Sequence, residues 1–221
     1  MADVPRIALI HALAHSIAPI NDAIARSWPQ AHCMNLLDDS LSADLAASPH
    51  GLDEAMTQRF FALADYAVST GADGILFTCS AFGPCIDAVK RRHASLPVLK
   101  PNEAMIDDAA AMAAARLTPI GLVASFAPTL QSMPAEFPPG VPLQVALAEG
   151  ALEALDRGDT ARHDALVAEA AARLVDRGCQ VIALAQFSLA RARSAVESRC
   201  GVPVLTTPDS AVRALRARLA G

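Results

Sequence analysis

The chain reads as an α/β protein built twice from one plan, and three observations carry that reading. First, Gly71-Ala72-Asp73-Gly74-Ile75-Leu76-Phe77-Thr78-Cys79-Ser80 and Gly178-Cys179-Gln180-Val181-Ile182-Ala183-Leu184-Ala185-Gln186-Phe187 each spell a helix stop, a buried strand and a small polar cluster, about 107 residues apart. Second, each copy is followed by a helical stretch and then a short strand, Pro97-Val98-Leu99 and Pro203-Val204-Leu205. Third, the strands are continuous apolar runs that alternate with helical segments, the pattern of parallel sheets covered on both faces. The expected fold is therefore two pseudo-symmetric Rossmann-like lobes, each a short parallel sheet flanked by helices, with the active site in the cleft between them. Residues 1–100 with 207–221 are assigned to the first lobe and 101–206 to the second.

The elements follow in order. Arg6–His11 is the first strand, and a helix runs from Ile17 to Ser27, ended by Trp28-Pro29. A strand over His32–Leu37 leads into the acidic, turn-forming stretch Asp38–Gly51, a loop or a short helix. Leu52–Thr70 repeats apolar residues at helical spacing (Ala55, Met56, Phe60, Leu63, Ala64, Ala67), and Gly71 closes it. After the Cys79 strand come a helix over Pro84–His93, the Pro97 strand, and a helix to Arg116 begun by Pro101-Asn102-Glu103. The plan restarts at Ile120–Ser125, which resembles Ile7–Ala12. Pro134–Pro142 is turn-like, Leu143–Leu147 a strand, and Ala151–Arg177 helical with a break near Gly158-Asp159. The Gln186 strand, a helix over Arg191–Arg199, the Pro203 strand and a last helix over Asp209–Leu219, expected to return to the first lobe, complete the chain.

Composition narrows the function. The 221 residues are 53% hydrophobic, enough for a proper core, and carry a net charge of -5 without a basic run, which disfavours nucleic acid as a partner. No apolar run approaches the ~18 residues that span a bilayer, and the start of the chain lacks a basic segment followed by an apolar one, so neither a membrane nor a secretion signal is expected. The five cysteines, Cys33, Cys79, Cys85, Cys179 and Cys200, are odd in number and irregularly spaced, which suits free thiols in a reducing cytoplasm. Nothing resembles a dinucleotide or nucleotide phosphate loop in the right context. His11 and His15 have the spacing of helical metal ligands but no matching carboxylate, so no metal is expected. Homodimerisation is the default for the assembly.

In parallel sheets ligands meet the carboxyl ends of the strands. Those ends carry His11, Cys79 with Ser80, Ser125, and Gln186 with Phe187 and Ser188. The segment from Thr78 to Pro84 passes from a strand into a helix, whose unsatisfied N–H groups favour an anion, a thiolate on Cys79 included, and Ser80 and Ala81 are substrate-binding candidates there. His11, after the first strand, is the candidate acid/base partner. Cys33, Cys85, Cys179 and Cys200 read as packing residues. Lys100, Arg191 and Arg193 are cations that could meet a substrate carboxylate, and Phe82, Phe126 and Phe187 could line an apolar pocket.

The duplicated lobes and the strand–Cys–small-polar–helix passage resemble the aspartate/glutamate/hydantoin racemase superfamily, relatives of which include maleate isomerase and arylmalonate decarboxylase. The resemblance spans nearly the whole chain. It implies a cofactor-independent enzyme acting on the carbon beside a carboxylate or carbonyl of a small molecule, with one thiol on each side of a cleft. The first thiol falls on Cys79, beside Ser80. Ser125 and Thr129 resemble the hydroxyl cluster that holds a substrate carboxylate. The second thiol should fall on Gln186, and an amide neither gives nor takes protons near neutral pH. Three one-thiol chemistries stay open: protonation of an enolate formed by decarboxylation, attack of Cys79 on carbon giving cis-trans isomerisation or hydrolysis through a covalent adduct, and racemisation or epimerisation with His11 or another group on the opposite face. A binding protein that kept the fold and lost catalysis is the contrasting class.

Overall fold

The computed structural model describes residues 4–220. Its elements run β1 (Arg6–His11), α1 (Ile17–Ser27), β2 (His32–Leu37), α2 (Ser40–Ala47), α3 (Glu54–Ser69), β3 (Gly74–Phe77), α4 (Gly83–Arg92), β4 (Val98–Leu99), α5 (Glu103–Arg116), β5 (Ile120–Ala124), α6 (Ala127–Ser132), β6 (Leu143–Leu147), α7 (Ala151–Asp156), α8 (Thr160–Val175), β7 (Val181–Leu184), α9 (Arg193–Cys200), β8 (Val204–Thr206) and α10 (Thr207–Ala220). Short 3₁₀ turns precede α1, α4 and α9. Two four-stranded sheets result, ordered β2-β1-β3-β4 and β6-β5-β7-β8, with every pairing parallel. The α/β class and the duplicated parallel sheets match expectation.

The chain divides into two compact units. One runs to Pro101 and takes in the chain again from Ala211; the other is Asn102–Ser210. The last helix therefore begins in the second unit and ends in the first.

The repeat is carried by local chemistry as much as by apolar pattern. Helices α3 and α8 have 16 residues each, and each starts at an aspartate. Asp53 accepts a hydrogen bond from the Met56 N–H and Asp159 from the Arg162 N–H, at 2.8 and 3.0 Å. Each cap satisfies one of the orphan donors of a first helical turn. Each helix is followed by a glycine at positive φ, Gly71 at 81° and Gly178 at 92°, and the chain then turns into β3 or β7. Both strands are buried along their whole length.

Each unit has its own core. In the first, Phe60 of α3 stacks on Phe77 and Phe82 at ring separations of 5.3 and 5.0 Å, above Ile75 and Ile10. In the second, Leu174 of α8 and Ile182 of β7 pack tightly on Gly121 of β5, where an added Cβ would stand 3.1 Å from Leu174 and 2.7 Å from Ile182 Cδ1, so a larger residue would force these side chains to shift.

The acidic stretch after β2, expected as a loop or a short helix, is helix α2. Helix α6 begins two residues after Ser125, with Pro128 in its first turn. The helix expected from Arg191 begins at Arg193, because Phe187–Ala192 is a 3₁₀ segment.

Candidate active site

The thiol of Cys79 sits at the mouth of the first sheet. Leaving β3, Cys79 keeps extended backbone at φ -121°, ψ 120°, and the 3₁₀ turn Ser80–Phe82 then feeds α4. The side chain is half-buried and shares a tight, mostly apolar crevice with Ile10, His11, Ala12, Leu41, Phe60 and Phe77. Burial pushes the thiol above its ordinary pKa; the Ala81 N–H and the Ser42 side chain beside it pull the other way without overcoming it. The helix start thus does not make Cys79 a ready thiolate, as its N–H groups suggested. At neutral pH Cys79 therefore keeps its proton. Ser80 is half-buried and Ala81 exposed beside it.

His11 is fully buried. Its Nδ1 lies 2.8 Å from Thr78 Oγ1 and its Nε2 3.0 Å from Asn35 Oδ1. Asn35 gives its NH2 to Asn21 Oδ1, so its oxygen faces the imidazole and accepts from Nε2–H. Nδ1 is then the acceptor for the Thr78 hydroxyl. Burial lowers the His11 pKa more than the Asn35 bond raises it, which holds the ring neutral. The ring that the sequence offers as an acid/base partner has both nitrogens engaged, directly behind the residue preceding Cys79.

At the equivalent end of the second sheet stands Gln186, also extended, at φ -132°, ψ 148°. Its Oε1 accepts from the Ser125 N–H at 2.7 Å and from the Ser125 hydroxyl at 3.1 Å. A backbone N–H can only donate, so the amide orientation is fixed and the NH2 end points away from Ser125. The Ser125 hydroxyl, which the resemblance offers to a substrate carboxylate, is thus already on the Gln186 carbonyl together with the Ser125 N–H. Ser188 is half-buried; Thr129 and Phe187 are buried.

The expected cations are spoken for. Lys100 meets Asp87 at 3.3 Å, Arg191 meets Asp164 at 2.9 Å, and Arg193 holds both Glu197 and Asp209, at 2.8 and 3.0 Å. Of the aromatic candidates, Phe82 is core, while Phe126 is 46% exposed. Among the described residues no three His, Cys, Asp or Glu side chains gather as a metal site, and no helix is long and apolar enough to cross a membrane.

One residue at the site lay outside the sequence reading: Ser42, on α2. The polar stretch that carries it gave no signal of chemistry.

A duplicated α/β protein with a buried-side thiol at one strand end and an amide at its counterpart defines a class of enzyme-like folds rather than one activity. The profile of the Asp/Glu/hydantoin racemase family matches residues 14–215, and this chain belongs to that family. Solved structures agree on the fold. Glutamate racemase RacE1 from Bacillus anthracis is 14% identical with a TM-score of 0.72, over 98% of this chain and 82% of that one. Allantoin racemase from Klebsiella pneumoniae is 17% identical with a TM-score of 0.70, over 98% and 88%. A mutant arylmalonate decarboxylase in a sulfate-associated form is 18% identical with a TM-score of 0.65, over 98% and 94%. No curated protein matches in sequence.

Proposed function

We propose that this chain is a cofactor-independent isomerase of the racemase family, acting at the carbon α to a carboxylate or carbonyl of a small acid or hydantoin, with Cys79 as the acid/base thiol. The observation that carries the reading is the contrast at equivalent strand ends: a thiol in a tight crevice with His11 in one unit, and an amide locked by Ser125 in the other. Family membership and structural relatives named as glutamate and allantoin racemases support the reaction class.

The roles follow from the chemistry. Cys79 removes or supplies the α-proton. The Gln186 NH2, oriented by Ser125, is an amide donor that can bind a carbonyl or carboxylate oxygen at the second unit's strand ends. Ser80, Ala81 and Ser188 offer further donors, and Thr129 and Phe187 support the second unit's strand ends. His11 acts through Thr78 as a positioning residue, not as a proton carrier.

A second reading rests on one specific observation. Cys79 is held protonated and no second thiol stands at Gln186, so a reaction that needs a donor and no base fits the same residues. Decarboxylation of a malonate-type acid is such a reaction: CO2 departs with its bond broken, the electron pair stays on carbon as an enolate, and the Cys79 proton quenches it.

Proton NMR in D2O on a panel of amino acids, hydantoins, malonates and maleate separates the readings. Deuterium at the α-carbon without loss of CO2 is expected for the isomerase, and CO2 release with one deuterium gained for the lyase. Either must vanish in Cys79→Ala. Chemistry that survives in this variant would remove the thiol from the mechanism, and a panel without any reaction would favour a small-acid binding protein.

A further inference from the structure

Helix α2 has eight residues, a half-exposed surface and no counterpart in the expected catalytic set, yet it reaches the thiol. Leu41 is fully buried in the crevice that Cys79 lines, and the next residue, Ser42, is half-buried. The Ser42 hydroxyl donates to the carbonyl of Ala12 at 3.0 Å, and Ala12 is itself a wall of the crevice.

What holds α2 there is a cluster on its outer side. The Arg59 guanidinium of α3 donates to Asp44 Oδ2 at 2.6 Å, to Asp38 Oδ2 at 2.8 Å and to Ser40 Oγ at 2.6 Å. Asp38 also accepts from the Ser40 N–H and hydroxyl, and its own N–H bonds to the His11 carbonyl, so the start of α2 is tied to the end of β1. One arginine on α3 thus fixes a three-point clamp on a helix too short to be stable by itself.

We infer that Ser42 is a positioning residue for the Cys79 thiolate, its hydroxyl turning from the Ala12 carbonyl to Sγ as the thiol ionises, and that Arg59 holds it in place by clamping α2. A hydroxyl has one proton and can rotate to suit either acceptor. While Cys79 is protonated, the carbonyl is the better acceptor; once Sγ carries a charge, a charge-assisted bond to sulfur is the stronger of the two. No proton leaves Ser42 in this exchange, and the thiol proton goes to solvent or substrate.

The ionisable groups on the surrounding elements do not offer a substitute. His11 on β1 is neutral with both nitrogens bonded. Asp38 and Asp44 are matched by Arg59. On α3, Asp53 caps the helix and Glu54 holds Gln58; on α4, Cys85 lies 3.5 Å from Thr57 Oγ1 and Asp87 faces Lys100. Hydrogen-bond donors, not charges, are what the thiolate has.

The inference rests on Cys79 being the working thiol, but its test needs no turnover. The rate of iodoacetamide alkylation is followed against pH on the Cys79 peptide by mass spectrometry, in wild type, Ser42→Ala, Ser42→Thr and Arg59→Gln. Losing one hydrogen bond to a charged sulfur is expected to move the Ser42→Ala midpoint up by about one pH unit, which makes alkylation about tenfold slower on the acid side of the profile. Ser42→Thr, which keeps the hydroxyl, restores the wild-type profile, and Arg59→Gln shifts it upward by less than Ser42→Ala. A Ser42→Ala profile that overlays wild type, or a shift that Thr fails to restore, overturns the role of Ser42. An Arg59→Gln profile identical to wild type overturns the clamp. Failure of the isomerase reading shows instead as absence of α-carbon chemistry in the NMR panel while the alkylation shift persists.

Discussion

In the first unit the strand end ahead of the 3₁₀ turn carries a thiol, and in the second the equivalent position carries an amide. The surroundings of each differ to match. The Thr78 N–H bonds to the Ile10 carbonyl at 3.0 Å and the Ala185 N–H to the Val123 carbonyl at 2.9 Å, which makes Thr78 and Ala185 counterparts, and likewise His11 and Ala124. Behind Cys79, then, lies a buried polar pair, His11 with Thr78, where the second unit has two alanines. Beside Gln186 lies Ser125 with two donors, where the first unit has Ala12, whose carbonyl takes the Ser42 hydroxyl. Duplication preserved the frame, with matched caps and matched glycines, and the side chains at the strand ends diverged. At one end the thiol keeps its proton; at the other the amide oxygen takes both Ser125 donors.

The sharpest way to break the comparison is to remove the thiol. Cys79→Ala should lower α-carbon exchange by about 10²–10⁴-fold, the usual worth of a positioned acid/base group, with the fold intact by circular dichroism.

Removing the polar support behind it comes next. His11→Ala strands the Thr78 hydroxyl and the Asn35 carbonyl in a buried site and leaves a void, at a cost of about 2–4 kcal/mol in urea unfolding. The counterpart Ala124 has nothing polar to lose. The pH dependence has a definite sign. His11 has a lowered pKa in the fold, so its contribution is present above the ordinary histidine value of about 6.5 and is lost as pH falls through the folded value. Wild type should lose stability across that acid range, and His11→Ala should lose this part of the slope.

Gln186→Ala removes the amide and exposes the Ser125 donors to water. The expected stability change is about 1 kcal/mol, because the site is half-buried and water replaces the lost acceptor.

The smallest effect tests the frame itself. Asp53→Ala and Asp159→Ala should each cost about 1 kcal/mol by thermal or urea unfolding, the worth of one helix cap, and the two should agree closely. Unequal costs would show that the units do not use the repeated cap alike.

Much of this was legible in the sequence because it is written in local terms. The repeat, the glycines after α3 and α8, and the pairing of Cys79 with Gln186 all follow from spacing and turn chemistry. What was hidden depends on register and packing. His11 reads rightly as the end of β1, but nothing local reveals that Thr78 and Asn35, from elsewhere in the chain, take both of its ring nitrogens. Ser42 sits in a segment whose acidic composition reads as solvated loop; its helix exists because Arg59, in another element, binds Asp38 and Asp44. The Ser125 donors read as a free carboxylate site because nothing local reveals that Gln186, 61 residues on, reaches them first. Helix α6 escaped notice because its first turn holds Pro128, which reads as a break when seen alone.

The division of labour between the two strand ends is the central claim, and steady-state α-carbon exchange in D2O tests it most directly, on a carbon acid that wild type accepts, with Cys79→Ala and Gln186→Ala measured together. The account predicts that Cys79→Ala loses kcat, while Gln186→Ala retains most of kcat and shows a raised KM. Abolished kcat in Gln186→Ala alongside an active Cys79→Ala would contradict it.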